Sequence, residues 1–217
     1  MKIVVIAIDG PAGAGKGTLA RRLAEHFGYA HLDTGSLYRA VALRVLRDGA
    51  DPTHEATAAH EATRLTEDDL RDPALRHEAT GLAASKVSAI PAVRQALLEF
   101  QRNFARRPPR DAMGAVIEGR DIGTVVWPQA DHKIFLDAAV EVRAKRRVAE
   151  LRTMLKEIDE AAVLRDLIQR DRQDRERSTA PLKPAADAFL LDTSNLDIEG
   201  AFAVAKAHIL GRSGPAA

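Results

Sequence analysis

Five short apolar runs punctuate the chain, each ending at aspartate, glycine or the polar residue that follows it. The first, Ile3 to Ile8, ends at Asp9; the others are Tyr29 to Asp33, Gly114 to Gly119, His132 to Asp137 and Ala188 to Asp192. Runs of this length, apolar throughout rather than alternating, read as strands of a parallel sheet covered on both faces. Apolar residues between them recur at helical spacing over Thr18 to Phe27, Ser36 to Asp48, Val93 to Arg106, Val140 to Arg152, Glu160 to Gln173 and Ile198 to Leu210. Strands alternating with helices predict an α/β, three-layer fold with a five-stranded parallel sheet and right-handed crossovers. The crossover from Asp33 to Gly114 far exceeds one helix, so a subdomain is expected within it.

The first run leads into Gly10, Pro11, Ala12, Gly13, Ala14 and Gly15, then Lys16, Gly17 and Thr18, and then LARRLAEHF at helical spacing. Strand, glycine-rich turn and helix in that order form a phosphate loop. Glycines let successive N–H groups face one concavity, the helix N-terminus adds positive potential, and Lys16 adds a full charge. The chain is therefore expected to bind a nucleoside triphosphate through residues 10–18, with Lys16 read as an exposed loop lysine. Mg²⁺ is implied by the triphosphate. Gly17 stands where the general pattern has Ser or Thr, so the candidate metal ligand is Thr18, directly or through water. Asp137, at another strand end, is read either as a second metal-side carboxylate or as a structural aspartate.

Composition narrows the class. At 217 residues and 46% hydrophobic, the chain can bury the core of one domain with an insertion. A net charge of +1 argues against a nucleic-acid or membrane partner. Cysteine is absent, which excludes disulfides and thiolate metal sites. The first apolar run is too brief for a signal h-region or a membrane span, so a soluble, cytoplasmic protein is expected. No association stripe is evident, and a monomer is expected. HEAT recurs at His54, His60 and His77, but the spacing is irregular; the segment Asp51 to Thr80 reads as exposed helical surface. FARRPPRDA (Phe104 to Ala112) reads as a loop returning the chain to the sheet, and GRSGPAA as a disordered tail.

Phosphoryl transfer needs cations around the moving group, alignment of two substrates and exclusion of water. Arginine is concentrated in three places. DTGSLYR (Asp33 to Arg39) and EGRDIGT (Glu118 to Thr124) each follow a strand, which puts Thr34, Arg39, Arg120 and Asp121 at the strand ends where open α/β sheets bind ligands. RDRQDRER (Arg170 to Arg177) closes a charged helix. Arg39 also fits a plain surface arginine, Arg120 and Asp121 a pair at a turn, and RDRQDRER an exposed face of i,i+3 and i,i+4 ion pairs.

IDGPAGAGKGTLA, LDTGSLYRA, AASKVSAIPAVRQALL, EGRDIGTVVWPQADHKIFLDA and RDRQDRERSTAPLKPAADAFLLDTS together resemble the bacterial cytidylate kinases, P-loop nucleoside monophosphate kinases, collinearly over most of the chain. GRDIGTVVWP and the arginine-rich run ending in APL are the specific elements. Many members carry a longer insertion with a small sheet where Asp51 to Thr80 is short and helix-leaning.

The resemblance implies a P-loop fold with core segments 1–35, 111–150 and 178–212, a monophosphate-binding insertion 36–110, and a mobile lid 151–177. It implies transfer of the γ-phosphoryl of ATP to CMP or dCMP in pyrimidine nucleotide metabolism, with Mg²⁺ accompanying ATP. Arg39, Arg120 and Arg177 would hold the monophosphate, and Arg170 and Asp174 the ribose. Ser85, Arg94 and Asp121 would read the base, with Thr34 also on the CMP side. Lys16, Arg120, Arg172 and Arg175 would stabilise charge during transfer. Other acceptors (UMP, AMP, or a small metabolite such as shikimate) and a non-catalytic nucleotide switch are the competing readings.

Overall fold

The structure, a computed structural model, describes residues 2–66, 68–153 and 157–211. Residues 154–156 of the expected lid and 212–217 of the expected tail lie outside the described residues. Five strands, β1 (Val4–Asp9), β2 (Ala30–Asp33), β3 (Gly114–Gly119), β4 (His132–Asp137) and β5 (Phe189–Asp192), form one sheet in the order β2-β3-β1-β4-β5. The central position of β1 matters most. It pairs in parallel with β3 and with β4, and the register sets Asp9 beside both Gly119 and Phe135. The phosphate loop and the turn after β3 therefore leave the sheet at the same level.

The chain divides into two compact units, one of residues 1–31 and 108–217 and the other Leu32–Arg107. In the first, α1 (Lys16–Phe27) and α8 (Ile198–Ile209) share a core with Ile6 and Ile8 of β1, Val116, Ile134, Leu136 and Leu191. Local chemistry sets the helix ends. Gly28, at φ 66°, ends α1, and Tyr29 N–H reaches back to the Ala24 carbonyl at 2.8 Å. Asp197 caps α8 through Gly200 N–H, and Asp159 caps α7 (Glu160–Glu176) through Ala162 N–H. α6 (Val140–Arg152) precedes α7 and packs on it. Among the described residues no helix is long and apolar enough to cross a membrane.

The second unit is helical: α2 (Thr34–Arg47), α3 (Glu55–Thr63), α4 (Glu78–Val87) and α5 (Pro91–Arg106). Leu37, Val41, Val45, Ala58, Ala83, Val87, Val93 and Leu97 form its core. α4 is a helix that the apolar pattern does not predict. Its sequence, EATGLAASKV, has small residues and a glycine, and it packs mainly against α2. α5 starts at Pro91 rather than Val93, because proline fits the first helical position. The strings at His54 and His77 mark helix starts, since each histidine occupies the N-cap position, of α3 and α4 respectively.

Candidate active site

The loop leaving β1 is built around backbone that only glycine can supply. A Cβ on Gly10 would lie 2.0 Å from the Leu136 carbonyl oxygen, at φ 151°. Gly15 takes φ 94° before α1, no side chain caps that helix, and its first turn carries no acidic residue. A bare helix N-terminus joined to a glycine turn suits an anion.

Lys16 corrects the reading from sequence. It is buried, at 6% exposure, because it opens α1 and its Nζ donates to the Pro11 carbonyl at 2.7 Å. Gly17, the departure from the general pattern, has a physical cause nearby: a Cβ there would lie 3.3 Å from Oε1 of buried Glu118. That carboxylate is 2.9 Å from His31 Nε2. Thr18 is half-buried on the first turn of α1. Its hydroxyl is a hard oxygen donor of the type Mg²⁺ takes, one residue beyond the crowded position 17. Asp137 is half-buried at the end of β4, and its Oδ1 accepts the Ala138 N–H at 2.8 Å.

Asp9 ties the phosphate loop to the turn after β3. Its two oxygens accept Ile122 N–H at 2.7 Å and Gly123 N–H at 2.8 Å. Burial pushes its carboxyl up to about 6, against the lowering effect of both bonds. The turn itself closes with Trp127 N–H on the Ile122 carbonyl at 2.7 Å. It carries Arg120 and Asp121, which reach α7 and the residue after it. Arg120 Nε donates to Asp174 at 2.9 Å, and Asp121 lies 3.8 Å from the Arg177 guanidinium.

The run RDRQDRER is thus two things at once. Arg172 is exposed and pairs with Glu176 one turn on, as a solvated face would; Arg175 is half-exposed, 3.9 Å from Asp171. The other side of the helix is buried structure. Asp171, at 5% exposure, forms a fork with Arg143 of α6, and Asp174 holds Arg120 with Arg177 at 3.7 Å. Arg170 is half-buried.

A cavity of about 700 Å³ adjoins the phosphate loop, lined by Gly13, Gly15 and Thr18, by Arg146 and Arg147 of α6, and by Thr193, Leu196 and Asp197 after β5. Arg146 shapes it by donating to Thr193 Oγ1 (3.1 Å), Thr193 O (2.6 Å) and Leu196 O (3.2 Å). Sequence reasoning passed over these residues. The available signal was DTSNLD after the fifth strand, a strand-end loop like those that carry Arg39 and Arg120.

In the second unit, Thr34 is buried at the start of α2 and Arg39 is half-buried on the same helix. Ser85 lies on α4, and Arg94 is buried on α5. Arg94 donates to the Ser88 carbonyl at 3.2 Å, and its guanidinium lies 5.5 Å from the Tyr38 ring centroid, next to Arg39 in the chain. These four residues come from the helices that form one core.

Comparison with known proteins closes the question of kinship. The cytidylate kinase family model matches residues 6–207. A cytidylate kinase from Bradyrhizobium diazoefficiens is 56% identical over 91% of both chains, and one from Nitrobacter winogradskyi is 55% identical over 95% of both. Among solved structures, an uncharacterised protein from Eubacterium ventriosum (TM-score 0.57) and a gluconokinase from Sinorhizobium meliloti (TM-score 0.50), each 14% identical, share the fold; they cover 96% and 97% of this chain and 99% and 94% of their own. With a family match across nearly the whole sequence and a glycine-built phosphate loop at the central strand, the chain belongs to the cytidylate kinase family.

Proposed function

We infer that the protein phosphorylates CMP and dCMP: the γ-phosphoryl group leaves ATP, its bond to the β-phosphate oxygen breaks, and a new bond forms to an oxygen of the acceptor monophosphate. ADP and CDP or dCDP result. The observation that carries this reading is the family match over residues 6–207, which spans the phosphate loop, the turn after β3 and α7 together.

The donor's phosphates are assigned to the loop 10–18, through its backbone N–H groups other than at Pro11, and to Lys16. Its nucleoside is assigned to the adjoining cavity, whose size suits a ligand of that class. The monophosphate is assigned to Arg39, Arg120 and Arg177, whose guanidinium forks match phosphate bidentately. Arg120 and Arg177 are each pre-oriented by Asp174. Arg170 and Asp174 take the ribose. Ser85, Arg94 and Asp121 are assigned to the base, and Thr34 to the CMP side. Arg94 donates to the cytosine ring acceptors and Asp121 accepts from the exocyclic amine, where uracil has a carbonyl instead. Lys16, Arg120 and the more exposed Arg172 and Arg175 are the cations for charge developing on the transferred group.

Thr18, with donor phosphate oxygens and water, would hold Mg²⁺, which neutralises phosphate charge when bound. No general base is needed, because the attacking oxygen is already anionic. A soluble, monomeric enzyme acting without nucleic acid is the accompanying proposal, and its net charge of +1 supports it.

An assay of ADP release across CMP, dCMP, UMP, AMP and shikimate tests the reading. CMP and dCMP are expected to give the highest kcat/KM. Fastest turnover with another acceptor would overturn the specificity, and slow hydrolysis independent of any acceptor would overturn the kinase.

A further inference from the structure

We propose that Arg143 is a positioning residue that makes α7 respond to occupancy of the phosphate loop. The inference rests on the donor reading above and adds a link that the reading does not require.

Arg143 is 2% exposed, and three separate parts of the first unit meet on its guanidinium. Nε donates to the Ala138 carbonyl after β4 at 2.8 Å. Nη1 donates to the Ala12 carbonyl of the phosphate loop at 3.0 Å and to Asp171 Oδ1 at 3.1 Å, and Nη2 to Asp171 Oδ2 at 2.5 Å. The described chain has no cis peptide bonds. In a trans peptide the carbonyl and the following N–H point in opposite directions, so fixing Ala12 C=O on Arg143 fixes the Gly13 N–H facing away from it. Arg143 therefore sets the orientation of one amide offered to the donor anion. The phosphate loop also runs close to α6: a Cβ built on Gly13 would come 3.3 Å from Arg143 Cβ.

The other end of the link is Asp171, on the helix that carries the acceptor-side groups. One turn further on, Asp174 holds Arg120 and Arg177. A bidentate fork tolerates little displacement, because both N–H···O bonds must stay aligned. If an arriving triphosphate shifts the loop, Arg143 must either release Ala12 or carry Asp171 with it, and either outcome changes the restraint on α7. Holding α6 against α7 does not by itself require the bond to the Ala12 carbonyl.

Hydrogen–deuterium exchange with a non-hydrolysable ATP analogue and no acceptor tests this. In the wild type, amides of Glu160–Glu176 should exchange at least about fivefold more slowly once the analogue is bound. In Arg143→Lys, which keeps the charge but loses the fork, the slowing in α7 should vanish while residues 10–18 remain protected. The CMP KM at saturating ATP should rise by a similar factor when measured well below the melting temperature, which the broken buried fork lowers. Asp171→Asn serves the same purpose should the lysine variant fail to fold, and the wild-type arm stands regardless. Equal slowing of α7 in the variant, or none in the wild type with the analogue bound, would overturn the link alone. Calorimetry showing no binding of the analogue would overturn the donor reading and the link with it.

Discussion

Arg120 gives its Nε–H to Asp174 at 2.9 Å, joining the turn after β3 to a helix 54 residues further along the chain. The arginine proposed to hold the monophosphate is thus oriented by a carboxylate, which would reduce the rotamer freedom lost when substrate arrives. Replacing Asp174 by Ala removes that aim and the proposed ribose contact together. The CMP KM should rise roughly tenfold, with the ATP KM within about twofold of the wild type. Steady-state kinetics with each substrate varied in turn provides the check, and a change confined to the ATP KM would place Asp174 on the donor side.

Lys16→Ala should lower kcat by about a hundredfold or more, since it removes the cation proposed for the transferred phosphoryl group. The buried hydrogen bond to Pro11 adds a second consequence. Its loss, of order 1 kcal/mol, should lower the melting temperature by roughly 2–4 °C in a chain of this size. Calorimetry beside the kinetics separates the two effects; turnover near wild type would refute the role of Lys16.

Asp121→Ala should erode discrimination rather than donor binding. Removing the acceptor proposed for the cytosine amine should reduce the CMP-over-UMP ratio of kcat/KM by roughly ten- to a hundredfold. The turn itself should hold, because Asp9 rather than Asp121 receives the Ile122 and Gly123 N–H groups. An unchanged ratio would mean that the base is read elsewhere.

The raised carboxyl of Asp9 predicts a pH signature. Its folded value of about 6 exceeds the ordinary 3.8, so the native state binds the proton more tightly than the unfolded chain. Stability contributed by this group is therefore present at low pH and lost as pH rises from about 4 to about 6. Between pH 4.5 and 7.5 the wild type should lose about 2 kcal/mol that Asp9→Asn does not lose. Urea unfolding of both proteins at the two pH values measures the difference, and parallel behaviour would show that Asp9 titrates normally.

The sequence by itself determined the elements whose information is local. β3, β4 and α6 match the apolar pattern to the residue, because continuous burial and helical periodicity are written in neighbouring side chains. The phosphate loop is legible for the same reason, since strand, glycines and lysine are contiguous. Tertiary structure alone decided that α4 is a helix, through α2; that Lys16 is covered; and that in RDRQDRER Asp171 is buried while Arg170, Asp174 and Arg177 are half-buried. Asp171 meets Arg143 across 28 residues, Arg143 meets Ala12 across 131, and Arg146 meets Thr193 across 47. Nothing in the order of residues says which arginine meets which aspartate. That pairing depends on the register of β1 between β3 and β4 and on the packing of α6 against α7, which bring distant charges into one dry place where only matched partners are tolerated.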